Sequence, residues 1–190
     1  MKLDGLKVAV LVTDGYEPSE LTEPMRALRE AGAEPRIVSD HDGQIKGKTD
    51  ADTADVDITL EAARPEDFGA LMLPGGVKNP DTMRQNERGV AFVRHFAQSG
   101  KPIAAICHAP WMLIEADAVR GRRVTSYPSL RTDLRNAGAE WVDEEVVTDR
   151  GLVTSRTPKD IPAFNAKMIE EFGEGTHERA AVAGEASTAR

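Results

Sequence analysis

The stretch PIAAICHAPWMLIEADAV, residues 102–119, decides the fold class of this chain. Its first five residues, Pro102 to Ile106, follow a Gly-Lys pair and are apolar, which predicts a buried β-strand. The apolar residues around and after Pro110 recur at helical spacing and predict an amphipathic helix. Cys107, the only cysteine of the 190 residues, therefore lies at a sharp strand-to-helix turn.

A turn of this kind is a favourable place for a reactive cysteine. It pushes the side chain of Cys107 out of the sheet, while backbone N–H groups of the following helix point toward the sulfur. These donors and the positive end of the helix dipole favour the thiolate over the thiol. A lone cysteine beside a buried strand is also typical of a small hydrophobic core residue. Cys107 alone leaves both interpretations open.

Length and composition predict one domain that does not bind nucleic acid stably. The 190 residues, 40% of them hydrophobic, suffice for one sizeable core. Acidic residues outnumber basic ones by 32 to 24, and a formal charge of −8 disfavours contact with a phosphate backbone. A single cysteine cannot form an internal disulfide, and the apolar stretch near the N terminus is too short for a signal peptide or membrane span. We therefore expect a cytoplasmic protein with no membrane partner.

Strand and helix patterns alternate along the chain. Apolar runs predict strands over residues 6–13, 34–39, 56–60, 69–73, 102–106, 122–126, 141–147 and 152–156. Helical spacing and capping residues predict helices over residues 19–32, 79–99, 109–119, 130–137 and 158–172. The capping residues at the start of the second of these helices are Asn79, Pro80 and Asp81. Because this alternation implies parallel βαβ crossovers, the fold class is α/β, a three-layer sandwich with a mostly parallel central sheet.

The last part of the chain has a different composition. Residues 173–190 contain Val182 as their only large aliphatic residue and no aromatic residue. Such a segment cannot bury enough apolar surface to offset the entropy lost on ordering. We therefore expect a single domain over residues 1–172 and a disordered tail over residues 173–190.

Polar or glycine-rich loops follow several predicted strands. They are DGYEPSE at residues 14–20, PGG at 74–76, CHAP at 107–110 and SYPS at 126–129. In a parallel sheet these loops meet at one edge, where α/β proteins bind ligands. Gly75 and Gly76 let the backbone turn tightly and aim N–H groups inward, which favours an oxyanion site. An ordinary turn is the alternative for this loop.

Two glutamates and a histidine are candidate partners of Cys107. Glu17 and Glu20 lie where the first helix begins. A glutamic acid that stays protonated beside the cysteine can hydrogen-bond the sulfur, although acids at a helix start also serve as caps. His108 adjoins Cys107, but neighbours on a helix point about 100° apart. A Cys–His pair therefore requires an elbow that turns both side chains toward one cleft.

The remaining histidines show no metal-ligand pattern. His95 is expected to cover the surface of its helix, and His41 and His177 lie in polar segments that predict exposure. One cysteine and four scattered histidines lack the spacing of a metal site. Asp14 and Gly15 lack the glycine pattern of a dinucleotide-binding loop. We therefore expect neither a metal nor a cofactor.

The motifs AAICHAPWML, LMLPGG, TSYPSLRTDLRNAGAEWVDEEVV and TSRTP together closely resemble the DJ-1/PfpI superfamily. The resemblance is to its PfpI-like branch, whose members are often labelled intracellular protease I, and it extends from Lys7 to Phe172. It implies a flavodoxin-like α/β sandwich, a nucleophile elbow at Cys107, and a homodimer or a hexamer built from dimers.

The resemblance also implies roles for individual residues. An acid from the loop after the first strand contacts the cysteine sulfur in this superfamily, and Glu20 matches it, with Glu17 a weaker match. His108 matches the histidine beside the nucleophile. In the PfpI-like branch the third member of a Cys-His-acid triad comes from the neighbouring subunit, and Asp81 occupies the matching position here.

Several activities have been assigned to members of this superfamily, including peptidase, glyoxalase or deglycase, chaperone and oxidative-stress roles. The reaction we favour is attack of the Cys107 thiolate on a carbonyl of a small carbonyl compound, a glycated group or a peptide. His108 would move protons and Gly76 would donate to the oxyanion. The alternative is a non-enzymatic redox sensor or chaperone in which Cys107 is oxidised and Glu20 stabilises the product.

Overall fold

Eleven strands and six α-helices lie along residues 2–177, the part of the chain that this computed structural model describes. The strands are β1 (Lys7–Leu11), β2 (Glu34–Ser39), β3 (Gln44–Lys46), β4 (Thr53–Asp55), β5 (Ile58–Thr59), β6 (Ala70–Leu73), β7 (Ile103–Ile106), β8 (Arg123–Val124), β9 (Glu140–Trp141), β10 (Val146–Asp149) and β11 (Leu152–Ser155). The helices are α1 (Pro18–Glu30), α2 (Lys78–Met83), α3 (Glu87–Ser99), α4 (Pro110–Glu115), α5 (Arg131–Asn136) and α6 (Ile161–Glu174).

Seven strands form the central sheet in the order β10-β11-β7-β6-β1-β2-β5. Each neighbouring pair in this sheet is parallel except β10 with β11. The predicted α/β class with a mostly parallel sheet is thereby confirmed. Because β7, β6 and β1 are adjacent and parallel, the loops that follow them meet at one edge of the sheet.

Both faces of the sheet are covered, which explains why its inner strands are almost wholly apolar. Alternate residues of β6 belong to two different apolar clusters, since successive side chains of a strand point to opposite faces. Ala70 and Met72 pack in the cluster that contains residues of α1 and α6. Leu71 and Leu73 pack in the cluster that contains residues of α3, α4 and α5. The predicted three-layer sandwich is confirmed by this division.

The helix predicted over residues 79–99 is interrupted and forms α2 and α3. The side-chain oxygen of Asn86 accepts hydrogen bonds from the backbone N–H groups of Arg88 (3.0 Å) and Gly89 (3.1 Å), so Asn86 caps α3 and ends the continuity. Helix α2 begins at Lys78. Asn79, which the sequence predicted as a cap, therefore lies inside α2.

Short strands account for the other differences from prediction. The antiparallel hairpin of β3 and β4 was not predicted, because each strand has three residues and only Ile45 in them is fully buried. The strand predicted over residues 141–147 is divided between β9, which pairs with β8, and β10, which joins the central sheet. The strand predicted over residues 56–60 shortens to β5.

The C-terminal boundary lies further along the chain than predicted. Helix α6 continues to Glu174, and the backbone N–H of His177 donates to the carbonyl of Gly100 (2.9 Å). Residues 173–177 are therefore folded onto the domain and do not begin a disordered tail. The rest of that prediction concerns residues 178–190, which lie outside the described residues. Within residues 2–177, no helix has both the length and the apolar character needed to cross a bilayer.

Candidate active site

Cys107 occupies a strained turn between β7 and α4. Its φ of +65° lies in the left-handed region that residues other than glycine rarely adopt. Two backbone hydrogen bonds hold the turn: the Cys107 N–H donates to the Ser155 carbonyl (3.0 Å), and the Cys107 carbonyl accepts from the Tyr127 N–H (2.8 Å). The cysteine side chain is buried. The predicted nucleophile elbow is therefore present.

This elbow turns the side chains of Cys107 and His108 toward each other. The cysteine Sγ and the imidazole Nδ1 are 3.1 Å apart. The ring of Tyr127 stacks on the imidazole with 4.5 Å between ring centres, and Ser129 Oγ lies 3.3 Å from Nε2. When the imidazole proton is on Nε2, it donates to Ser129 and leaves Nδ1 free to accept a proton from the thiol.

The environment of His108 keeps its imidazole neutral. Burial, followed by the positive charge of Lys48, lowers the pKa of His108 below its ordinary value of 6.5. Lys48 lies on the turn between β3 and β4. A neutral imidazole near pH 7 can act as a general base toward the neighbouring thiol.

Glu20 points from α1 into the same pocket and is completely buried. A Cβ placed on Gly75 would lie 2.3 Å from Glu20 Oε2 and 2.6 Å from Cys107 Cβ, so both side chains press against this glycine. Neither carboxyl oxygen of Glu20 has a hydrogen bond of good geometry within residues 2–177, although Cys107 and the N–H groups of Gly75 and Gly76 are close enough to influence the carboxyl.

The carboxyl of Glu20 titrates near neutral pH. Burial raises its pKa from 4.5 to about 7, and the charge of Glu17 acts in the same direction. Cys107 and the backbone N–H groups of Gly75 and Gly76 oppose this increase. A substantial fraction of Glu20 is therefore protonated at pH 7, as the sequence-based hypothesis for this residue required.

Burial of Cys107 favours the thiol, whereas the sequence-based expectation was that the helix end favours the thiolate. Burial raises the pKa of the Cys107 thiol to about 12, and the Glu20 carboxylate adds to the effect. The backbone N–H groups of Gly76 and His108 lower the pKa but are outweighed. Helix α4 has only six residues, whereas the sulfur lies in a buried pocket beside an acid. The thiol proton must therefore pass to a base during attack.

The PGG loop lies so close to the elbow, at Gly75, and to the loop after β1, at Gly76, that side chains would not fit at either glycine. Gly76 has a φ of +81°, and a Cβ there would lie 2.5 Å from the Gly15 carbonyl oxygen and 2.8 Å from the Glu17 nitrogen. The backbone N–H of Gly76 lowers the pKa of the Cys107 thiol, since it lies close to the sulfur. This N–H is therefore placed to donate to a negative charge that forms beside the sulfur.

Asn79 holds this loop to the end of β1. Its Oδ1 accepts from the Thr13 N–H (2.8 Å), and its Nδ2 donates to the carbonyls of Pro74 and Gly75 (3.0 Å each). Asn79 is itself buried. The amide therefore fixes the position of the glycine N–H groups relative to Cys107.

Glu17 faces the rim of the pocket and forms an ion pair with Lys48. Within residues 2–177 Glu17 makes no hydrogen bond to Cys107, so its influence on the site passes through the pKa of Glu20. An open cleft of about 640 Å³ lies beside the ion pair, lined by residues 14–15, 46–50 and 77–78.

Asp81 lies apart from the cysteine within this chain. Its Oδ1 pairs with Arg84 Nη2 (2.8 Å), and the Arg84 guanidinium lies 4.6 Å from the centre of a Trp111 ring. No hydrogen bond joins Asp81 to Cys107 or His108 among the residues described. The fold thus brings His108, Glu20 and the two glycines of the PGG loop next to Cys107. Glu17 lies at the rim of this pocket, and Asp81 lies outside it.

The sequence did not single out four residues that shape the site. Tyr127 and Ser129 belong to the SYPS loop, whose position after a predicted strand placed it at the correct edge, but nothing in the motif shows that they hold His108. Lys48 lies on a hairpin that was not predicted. Asn79 was interpreted as a helix cap, and no local pattern distinguishes that role from anchoring the PGG loop.

Comparisons with known proteins show to which family the chain belongs. The chain matches the model of the DJ-1/PfpI family over residues 6–171. It is similar to protein/nucleic acid deglycase 2 of Escherichia coli, with 46% identity over 169 residues that cover 88% of this chain and 98% of that protein. It is similar to general stress protein 18 of Bacillus subtilis, with 46% identity over 167 residues that cover 87% and 96%. A deglycase of Pyrococcus horikoshii is 43% identical over 165 residues, which cover 87% and 98%.

Solved structures show the same fold. DJ-1beta of Drosophila melanogaster superposes with a TM-score of 0.81 at 29% identity, covering 89% of this chain and 91% of that chain. A two-domain protein of Anabaena variabilis, with DJ-1/ThiJ/PfpI-like and ferritin-like domains, gives a TM-score of 0.85 at 36% identity. That match covers 88% of this chain but 48% of the other, so this chain spans about half of the two-domain protein.

Proposed function

The chain belongs to the DJ-1/PfpI family, and from this we propose that it is a stress-related deglycase in which the Cys107 sulfur attacks the carbonyl of a glycated group. The observation that carries the proposal is the 3.1 Å contact between Cys107 Sγ and His108 Nδ1 on a strained elbow. The names of the E. coli and P. horikoshii relatives support this reaction class. No cofactor is required for it.

The attack step uses a thiol and a neutral base. As Cys107 Sγ bonds to the carbonyl carbon, the thiol proton passes to His108 Nδ1, and the π electrons of the carbonyl move to its oxygen. The N–H of Gly76 donates to this oxyanion, with Gly75 as the second residue of the loop that positions it. Ser129 and Tyr127 keep the imidazole oriented toward the sulfur.

Glu20 assists in its protonated form. A protonated carboxyl donates toward the sulfur, whereas an ionised one opposes any negative charge that develops there. The reactive state of the site therefore combines a protonated Glu20 with a neutral His108. Because the pKa of Glu20 is about 7 and that of His108 is lowered below 6.5, this state is well populated from the pKa of His108 up to about neutral pH.

Peptide hydrolysis would use the same residues but would demand more of them. An amide nitrogen must be protonated before it leaves, whereas a glycated thiol or amine carries a reactive carbonyl that the sulfur can attack directly. We therefore place small carbonyl compounds and glycated groups ahead of peptides as substrates.

A non-enzymatic redox sensor receives less support from the site. Peroxide reacts with the thiolate, and burial raises the pKa of the Cys107 thiol to about 12. Attack on a carbonyl can be coupled to proton transfer to His108, and a sensor has no need of this base. A thiol enzyme requires a reduced cysteine, which favours the cytoplasm as its location.

A substrate panel tests the proposed function. The purified full chain is incubated with methylglyoxal, with methylglyoxal adducts of an N-acetylated cysteine and an N-acetylated lysine, and with a fluorogenic peptide. We expect turnover of the aldehyde and its adducts well above the spontaneous reversal measured in buffer, with the peptide cleaved slowest. Turnover of the peptide alone would instead favour the peptidase, and turnover of none of these substrates would contradict the enzyme proposal.

The proposal extends to a homodimer, or a hexamer built from dimers, in which Asp81 serves the partner subunit. Within its own chain the Asp81 carboxyl pairs with Arg84, but it is half exposed and can therefore approach a second molecule. Because α2 packs against α4, which follows the elbow, an interface at this face would lie beside His108.

Subunit mixing tests whether Asp81 acts across an interface. Asp81→Ala and Cys107→Ala proteins, each inactive as a homo-oligomer, are mixed under conditions of subunit exchange. We expect up to about a quarter of wild-type activity per active site to return in the mixture, because statistical pairing of equal amounts creates intact shared sites. Activity of Asp81→Ala equal to wild type, or a mixture as inactive as its parents, would show that Asp81 is not shared.

A further inference from the structure

Three potential metal ligands meet at the C-terminal end of α6. One ligand atom each of Glu171, Glu174 and His177 lies within 4.8 Å of the other two, and within residues 2–177 no other three acidic, histidine or cysteine side chains meet this condition. His177 Nε2 lies 3.4 Å from Glu171 Oε2 and 3.9 Å from Glu174 Oε2. No metal site was predicted from the sequence, because only the spacing of histidines and cysteines was considered and the carboxylates were left out.

The imidazole of His177 points into this group of side chains. The sequence predicted an exposed histidine, but the side chain is only partly exposed. Its side chain is 21% exposed, but its Nε2 atom is buried and has no hydrogen-bond partner among the residues that the structure describes. Neither Glu171 nor Glu174 pairs with a lysine or arginine among residues 2–177. The ring nitrogen thus lies buried between two carboxylates that have no cationic partner among these residues. A bound cation would satisfy all three groups.

Backbone groups hold these ligands in place. The N–H of Gly151 donates to Glu171 Oε2 (3.1 Å), and the N–H of His177 donates to the Gly100 carbonyl (2.9 Å). A Cβ on Gly151 would lie 2.6 Å from the His177 ring, so this glycine makes room for the imidazole. Hydrogen bonds that orient a ligating carboxylate are typical of protein metal sites.

The distances between the side chains suit a small transition-metal ion. Two ligand atoms about 2.1 Å from a tetrahedral Zn²⁺ ion lie about 3.4 Å apart. This value equals the 3.4 Å between His177 Nε2 and Glu171 Oε2. Glu174 is 54% exposed and needs only a small side-chain rotation to close its longer distance of 3.9 Å.

We propose that Glu171, Glu174 and His177 bind a divalent transition-metal ion of the Zn²⁺ type, with water at the remaining coordination position. The site lies beside Gly100 and Gly151, which precede β7 and β11, whereas Cys107 follows β7. It is therefore at the opposite edge of the parallel sheet from the cysteine. An ion there would fasten the segment after α6 to the domain.

Zinc titration of the full chain tests this proposal. Isothermal calorimetry should show one Zn²⁺ ion bound per chain, with affinity reduced at least about 10-fold in His177→Ala and in Glu174→Gln. Glu174 is exposed, so its variant keeps the test valid if a substitution at His177 disturbs folding. His41→Ala is the matched control, because His41 Nε2 also lies near two carboxylates, 3.6 Å from Asp14 and 3.9 Å from Asp40, outside any three-ligand group.

The Cys107–His108 pair is the other place where Zn²⁺ could bind, and a Cys107→Ser variant separates the two. We expect this variant to bind Zn²⁺ as tightly as wild type. Co²⁺ bound to the wild type should likewise lack the sulfur-to-metal charge-transfer band of a thiolate ligand. Loss of binding in Cys107→Ser, unchanged binding in both His177→Ala and Glu174→Gln, or no measurable binding to the wild type would overturn the proposal.

Discussion

Replacing Cys107 with serine should reduce turnover of methylglyoxal adducts by about 1000-fold or more. A serine hydroxyl is a much weaker nucleophile than a thiol, and its proton is harder to remove. The base at hydrogen-bond distance from it would be His108, whose lowered pKa makes it a weak proton acceptor. Steady-state assays with the best substrate of the panel provide the measurement.

The fold should tolerate this substitution. Serine is close to cysteine in size, and the backbone hydrogen bonds of residue 107 to Ser155 and Tyr127 do not involve the side chain. We expect the free energy of unfolding to change by no more than about 1 kcal/mol in urea titrations. Turnover that persists in Cys107→Ser above the spontaneous rate, in a protein freed of contaminating hydrolases, would sink the cysteine mechanism.

Replacing Glu20 with glutamine should stabilise the protein at pH 8 by up to about 3 kcal/mol, because the pKa of this buried carboxyl is about 7 rather than 4.5. Between these two pH values the native state binds a proton that the unfolded state releases. Stability therefore falls as pH rises from about 4.5 to about 7 and stays level above that. Glutamine cannot ionise, so the variant should lose this decline.

Chemical denaturation of wild type and Glu20→Gln at a series of pH values from 4 to 8.5 measures the effect. Glu23→Gln is the matched control, since Glu23 lies on the same helix but is exposed and pairs with Arg26. The control should retain the wild-type slope. The same slope in Glu20→Gln and wild type would show that Glu20 ionises as a solvated acid.

The activity profile of Glu20→Gln separates two possible roles of the carboxyl. If protonated Glu20 only donates toward the sulfur, the glutamine amide can replace it, and kcat/KM should no longer decline as pH rises through 7. A loss of activity at every pH would assign Glu20 the role of a proton acceptor for the thiol instead.

Much of the fold was predictable because it depends on local patterns. The apolar runs of β6 and β7 are covered on both faces, so they lack alternation and are recognised from composition alone. Elements whose formation depends on one hydrogen bond or on a distant partner were missed. Asn86 divides the helix predicted over residues 79–99 through its side-chain oxygen, and the β3–β4 hairpin has a single fully buried residue to mark it.

The candidate site was likewise predictable where it depends on neighbouring residues and unpredictable where it depends on distant contacts. Cys107 was located from the sequence, since a strand followed directly by a helix implies a turn between them. The family resemblance predicted that Glu20 lies beside Cys107. The structure alone showed that Ser129 holds His108. Sequence patterns could not decide the protonation states of Cys107 and Glu20, because burial of the pocket depends on how α1, the PGG loop and the elbow pack together.

The sequence alone determined the α/β class, the position of the elbow and the identity of its cysteine, because each depends on residues close together in the chain. The tertiary structure decided that burial raises the pKa values of both Cys107 and Glu20, and that Glu171, Glu174 and His177 form a group beside Gly151. Desolvation and charge interactions act through space, so they become visible only when distant segments are brought into contact.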